Sequence, residues 1–156
     1  MKKLFVCIPV VAILSLALAA GSLAQVGRDT RQRGREGWGP GDRYGKMYDT
    51  KTVETLSGEV VSVTKMTPMK GMSSGLHLTL KTDKETVSVH LGPEWYLEKQ
   101  EVKIELKDTI EVKGSRVTFN GKPAIIAAEV KKGAEVLRLR DESGYPVWVR
   151  WKPPWE

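Results

Sequence analysis

The chain has 156 residues, a formal net charge of +6 and a single cysteine, Cys7. That length holds one domain with a core of its own, but not two ordinary ones once the ends are subtracted. One cysteine excludes an internal disulfide and any multi-thiolate metal centre, and the mild charge does not mark a dedicated polyanion binder.

The first 24 residues read as a secretory signal. Lys2 and Lys3 precede an apolar run from Leu4 to Ala20, and Ser22-Leu23-Ala24 supplies small residues at −3 and −1. Cleavage is expected before Gln25, giving a periplasmic or secreted protein with no transmembrane span after processing. Cys7 and two of the positive charges leave with the signal, so a soft metal in the mature chain would need Met and His ligands. Residues 25–50 are rich in Gly and Arg, including Arg31, Arg33 and Arg35, and have almost no apolar spacing. Such a segment buries too little surface to offset its ordering entropy, so it is expected to be a flexible arm able to touch a partner.

From residue 51 to about 140 the chain changes to short β-branched runs broken by turn residues. VETLSGEVVSV places Leu56, Gly58 and Val60 on one face and then shifts phase to Val61 and Val63, the pattern of a long strand bending around a corner. GLHLTLKT and ETVSVHLG each alternate, and form a hairpin around residues 82–85. In the register that matches their apolar faces, Leu80 meets Val87, Leu78 meets Val89 and Leu76 meets Leu91. GPEWYLEKQ predicts a helix of about two turns with Pro93 in its first turn, and Trp95 or Tyr96 should seal the barrel bottom. GSRVTFNGKPAIIAAEV predicts a second hairpin closed by Asn120-Gly121, pairing Val117 with Ala124 and, past a one-residue bulge at Gly114 or Ser115, Val112 with Val130. One strand, a hairpin, a short helix and a second hairpin is the order of an all-β, five-stranded Greek-key barrel with its helix between strands 3 and 4, the OB-fold.

On VETLSGEVVSV, VHLGPEWYLE and GSRVTFNGKPAIIAAEV the chain resembles small, uncharacterised exported bacterial proteins of OB-fold type, which are often labelled DNA-binding by fold alone. The resemblance implies a fold and a compartment more than an activity.

The same register sets His77 directly across from His90 on the outer face. Cross-strand Cβ atoms lie about 4.5–5.5 Å apart, so both imidazoles are expected to reach one ion. Met66, Met69 and Met72 stand in the loop that leads to this strand, where Pro68 and Gly71 forbid regular structure. Thioether and imidazole together select Cu(I) or Ag(I), which makes His77, His90, Met72, Met69 and Met66 the candidate metal set. The chain is also similar to periplasmic copper and silver chaperones of OB type in compartment, fold and ligand palette, although their closely spaced Trp and Met ligands on adjoining strands have no counterpart here. Against this stands a plainer reading, in which loop methionines plug the barrel mouth and the histidines face solvent.

Other chemistries are less well served. The outer face of the first hairpin reads His77, Thr79, Lys81, Thr86, Ser88 and His90, without an aromatic platform for single-stranded nucleic acid. No phosphate loop or nucleophile motif is present, and Glu94 and Glu98 read as a solvated helix face, so no catalysis is expected. Residues 141–156 form a Trp- and Pro-rich tail. Trp148 is expected to pack back on the barrel, whereas Trp151 and Trp155 follow it or await a partner. The sequence therefore predicts an exported, non-catalytic OB-fold binding module for a soft metal. The alternative is a protein-interaction adaptor using Trp151, Trp155 or the arginines of the arm, with single-stranded nucleic acid third.

Overall fold

The computed structural model describes residues 37–155. The signal segment, Cys7, Arg31, Arg33 and Arg35 lie outside the described residues. Six strands occur among them: β1 Val53–Met66, β2 Gly75–Lys81, β3 Thr86–Pro93, β4 Thr109–Phe119, β5 Lys122–Lys132 and β6 Glu135–Arg138, with one short helix, α1 Glu94–Leu97, between β3 and β4.

β1 turns the corner that its phase shift foretold. Val53–Glu59 pairs antiparallel with β4, Glu59–Met66 pairs with β2, and Glu59 belongs to both ladders. Gly58 stands at the handover, where any Cβ would overlap the carbonyl oxygen of Lys81. The extra residue of the bulge is Val61, between Val60 and Ser62 in the register with β2. It therefore points outward and is exposed rather than joining the core.

The first hairpin has the expected register at Leu80↔Val87, Leu78↔Val89 and His77↔His90, but a shift beyond His77 pairs Leu76 with Gly92 instead of Leu91. The Thr82 hydroxyl closes its turn, accepting from the backbone N–H of Lys84 and Glu85 and donating to the Glu85 carbonyl. In the second hairpin Asn120 and Gly121 both take positive φ, 49° and 76°, as a two-residue turn with matching twist requires. Val117 pairs with Ala124 and Val112 with Val130. The bulged residue is Ala128 on β5, skipped opposite Lys113 and Gly114, and not Gly114 or Ser115. Its freed carbonyl accepts from Leu139 and Arg140, fixing the chain that leaves β6.

The ring closes by parallel pairing of β3 with β5 at Ser88↔Ala124, Val89↔Ile125 and His90↔Ile126, completing the strand order β3-β2-β1-β4-β5 of an OB-fold barrel. β6 adds to β5 outside the barrel. Val60, Leu78, Leu80, Val89, Val112, Ile125 and Val130 fill the interior. At the bottom α1 is a single turn, shorter than expected. Burying Tyr96 and Leu97 needs no more, and the Lys103 ammonium then donates to the Leu97 and Glu98 carbonyls at the helix end. No helix among the described residues is long and apolar enough to cross a bilayer.

The greatest departure lies before β1. Residues 37–52 do not behave as a flexible arm: they form a strap across the outer face of β2 and β3, with Trp38 and Tyr44 each 2% exposed. β5 records the same event, since Ala124 to Ala128 is buried without alternation, as a strand covered on both faces must be.

Candidate functional site

The face that an OB barrel uses for ligands lies on β2 and β3, between the β1–β2 loop and the β4–β5 turn. Here it carries the histidine pair, placed as facing neighbours by the hairpin register. The rings stack with centroids 3.8 Å apart and planes 7° from parallel. Contrary to expectation, neither faces solvent: each is 2% exposed. Tyr44 stacks beyond His90 and places its Oη 2.9 Å from Nδ1, while Phe119 meets His90 edge-on. With the phenol donating, His90 carries its own proton on Nε2.

Trp38 holds the strap down. Its indole N–H donates to the Ser73 carbonyl and hydroxyl, and its ring lies over Gly75, where a Cβ would have no room. Trp148 arrives from the C-terminal side, 1% exposed, and donates its indole N–H to the Trp38 carbonyl. The two ends of the described chain therefore close the face together.

Burial controls the electrostatics. It pulls the His77 imidazolium pKa down to about 4, and burial together with the neighbouring His77 pulls His90 down to about 3. Both rings are neutral at pH 7. Among the described residues neither ring nitrogen of His77 has a hydrogen-bond partner. Arg140 is also buried, its guanidinium set 5.2 Å from both the Tyr48 and Trp148 ring centroids and donating to the Gly144 carbonyl.

This arrangement does not hold an ion between the two imidazoles. Each lone pair lies in its ring plane, and two nearly parallel planes 3.8 Å apart do not converge on one point. Among the described residues no group of three or more His, Cys, Asp or Glu is placed to hold a metal. The methionines divide as well. Met66 ends β1 and is 40% exposed, whereas Met69 and Met72 pack against the core edge.

What the strap leaves open is a groove of about 550 Å³ between itself, the β1–β2 loop and the β4–β5 turn, lined by Arg43, Met47, Met69, Lys70, Phe119 and Asn120. A smaller recess of about 290 Å³ continues it past Met69 to Met72 and Tyr44. Elsewhere, Lys65 bridges Glu94 and Glu98, so that pair is a solvated ionic cluster. In the tail Trp151 meets Tyr96 edge-on, while Trp155 stays 68% exposed with the Lys99 ammonium 5.0 Å above its ring.

Trp38, Tyr44, Met47 and Phe119 were not among the residues singled out from the sequence. The signal for the first two was present: aromatic rings set in a glycine-rich segment are costly to leave in water, the same consideration that placed Trp148 on the barrel.

No curated protein matches the chain. The MamS/MamX magnetosome protein family matches residues 52–137, which run from the residue before β1 into β6 and leave out the tail and all but the last residue of the strap. On that match, which spans more than half of the sequence, the chain belongs to the MamS/MamX magnetosome protein family.

Proposed function

We propose that this member of the family is an exported, non-catalytic interaction module that engages a protein partner through surfaces at the rim of a self-closed OB barrel. The observation that carries the reading is the burial of Trp38 and Tyr44 on the outer face of β2 and β3, Tyr44 stacked on His90 and Trp38 over Gly75. A face filled by the chain's own aromatic side chains is not available to a base or a sugar, whereas Trp155 remains in water on a tail whose Trp148 is clamped. Exposed tryptophan at the edge of a rigid scaffold is a frequent anchor in protein interfaces. The family's description ties it to the magnetosome, and the partner is sought among proteins of that compartment.

The test is co-purification of the intact chain with an envelope protein. Capture that is lost in Trp155→Ala, with thermal stability unchanged, supports the adaptor. Capture that is indifferent to Trp155, or no captured protein at all, contradicts it.

Soft-metal binding is the competing reading. Its support is the His77 imidazole, whose two nitrogens have no hydrogen-bond partner among the described residues, on the strand that follows the methionine-bearing loop. Coordination requires Tyr44 to leave and the rings to turn out of their stack. Stoichiometric Cu(I) uptake under reducing conditions, lost in His77→Ala and in Met72→Ala, would favour it.

A further inference from the structure

We infer that the groove between the strap, the β1–β2 loop and the β4–β5 turn is a docking site for an acidic segment of a partner protein, with one bulky apolar side chain as its anchor. The inference rests on the adaptor reading and adds a second surface to it, distinct from the tail.

Three features of the groove lead there. Its floor is apolar and deformable: Met47 comes from the strap, Met69 from the β1–β2 loop and Phe119 from the end of β4, all partly buried against the core. Unbranched thioethers fit side chains of different shape, which suits the capture of a peptide better than of one rigid ligand. Its walls are cationic: Arg43 and Lys70 line both the groove and the adjoining recess, are exposed, and form no ion pair or side-chain hydrogen bond among the described residues. The larger part of the groove has no carboxylate in its lining. The one acid in the recess, Asp42, is turned to the strap's own backbone, accepting from the Gly39 N–H at 2.7 Å.

Two unopposed cations on either side of a methionine floor are complementary to carboxylates flanking an apolar residue. Volume agrees, since about 550 Å³ accommodates one large side chain and its flanking main chain. Nucleic acid fits less well. Phosphates would meet only two cations, and the one aromatic ring in the floor, Phe119, is already packed edge-on against His90 and Tyr44 rather than offering a free face.

The test is a fluorescence-anisotropy titration of the intact mature chain with a labelled acidic peptide carrying one central phenylalanine, EDGFGDE. A lysine counterpart, KKGFGKK, and a single-stranded oligonucleotide serve as competing probes. The expected result is saturable binding of the acidic probe only, weakened by salt and reduced roughly tenfold or more in Arg43→Glu/Lys70→Glu. Both positions are exposed, so the variant should keep the wild-type melting curve. Salt dependence measured on the unaltered protein gives a readout that needs no variant. Equal binding of both peptides, binding indifferent to charge reversal, or preference for the oligonucleotide would overturn the inference. Because no tail residue lines the groove, Trp155→Ala should bind the acidic probe normally, so failure of the groove and failure of the tail reading are told apart.

Discussion

The indole N–H of Trp148 donates to the main-chain carbonyl of Trp38 at 2.9 Å, across 110 positions of sequence. That bond joins the segment before β1 to the segment after β6 directly above the sheet face where the two histidines stack. The ring centroids lie 6.2 Å apart in an edge-to-face arrangement, so packing reinforces the hydrogen bond. The strap and the tail are thus one closure, and removing either anchor should loosen the other.

Trp38→Ala should lower the unfolding free energy by about 3 kcal/mol or more, because it empties a fully buried site and leaves the Ser73 carbonyl and the Trp148 neighbourhood underpacked. Urea denaturation measures the loss. Histidine modification by diethylpyrocarbonate, slow in the parent, should become fast in the variant. Unchanged reactivity would mean that the strap does not guard the pair.

Stability should fall on acidification. In the unfolded chain both imidazoles titrate near 6.5, but in the fold burial holds them at about 4 and about 3. The unfolded state therefore binds more protons in the range between about 3 and about 6.5. The contribution is complete above that range and is lost as pH drops through the window towards 3 to 4. The urea midpoint should decline steadily from pH 7 to pH 4. A flat profile over that range would be incompatible with two buried neutral histidines.

His77→Phe should be neutral or stabilising at pH 7, by up to about 1 kcal/mol, because an apolar ring in that stack has no unsatisfied nitrogens to desolvate. It should also remove part of the acid sensitivity. A loss of 2 kcal/mol or more would reveal a polar partner for His77.

Arg116 links β4 to Glu54 of β1 and to Glu85 of the β2–β3 turn, and its hydrogen bond to Glu85 holds that carboxyl below its usual range. These groups are about a third exposed, so Arg116→Ala should cost less than about 1 kcal/mol, and the difference should shrink in 1 M salt. A larger, salt-insensitive loss would place the network deeper than its exposure indicates.

Much of the barrel was legible because its signals are local and periodic. Alternation in the first hairpin put His77 opposite His90, and Asn120-Gly121 set the turn of the second. The bulge was expected on the wrong strand, because glycine drew attention to Gly114 and Ala128 carries no such mark; yet the pairs Val112↔Val130 and Val117↔Ala124 are five steps apart on β4 and six on β5, which already puts the extra residue on β5. The strap was hidden for a different reason. Trp38 and Tyr44 dock as single anchors in a chain without regular spacing, so no period of 2 or 3.6 announces them. One indirect trace did exist: the unbroken apolar run of Ala124 to Ala128 is that of a strand covered on both faces, and it implies an outer layer that five strands alone do not supply.

Both imidazoles are buried on the strapped face, His90 against Tyr44, and NMR titration of their ring resonances in the mature chain measures this most directly. Neutral rings down to about pH 4.5, with a cross-relaxation contact between the Tyr44 and His90 rings, are the result expected from the structure. Two ordinary transitions near 6.5 without that contact would show an open face and contradict the closed barrel.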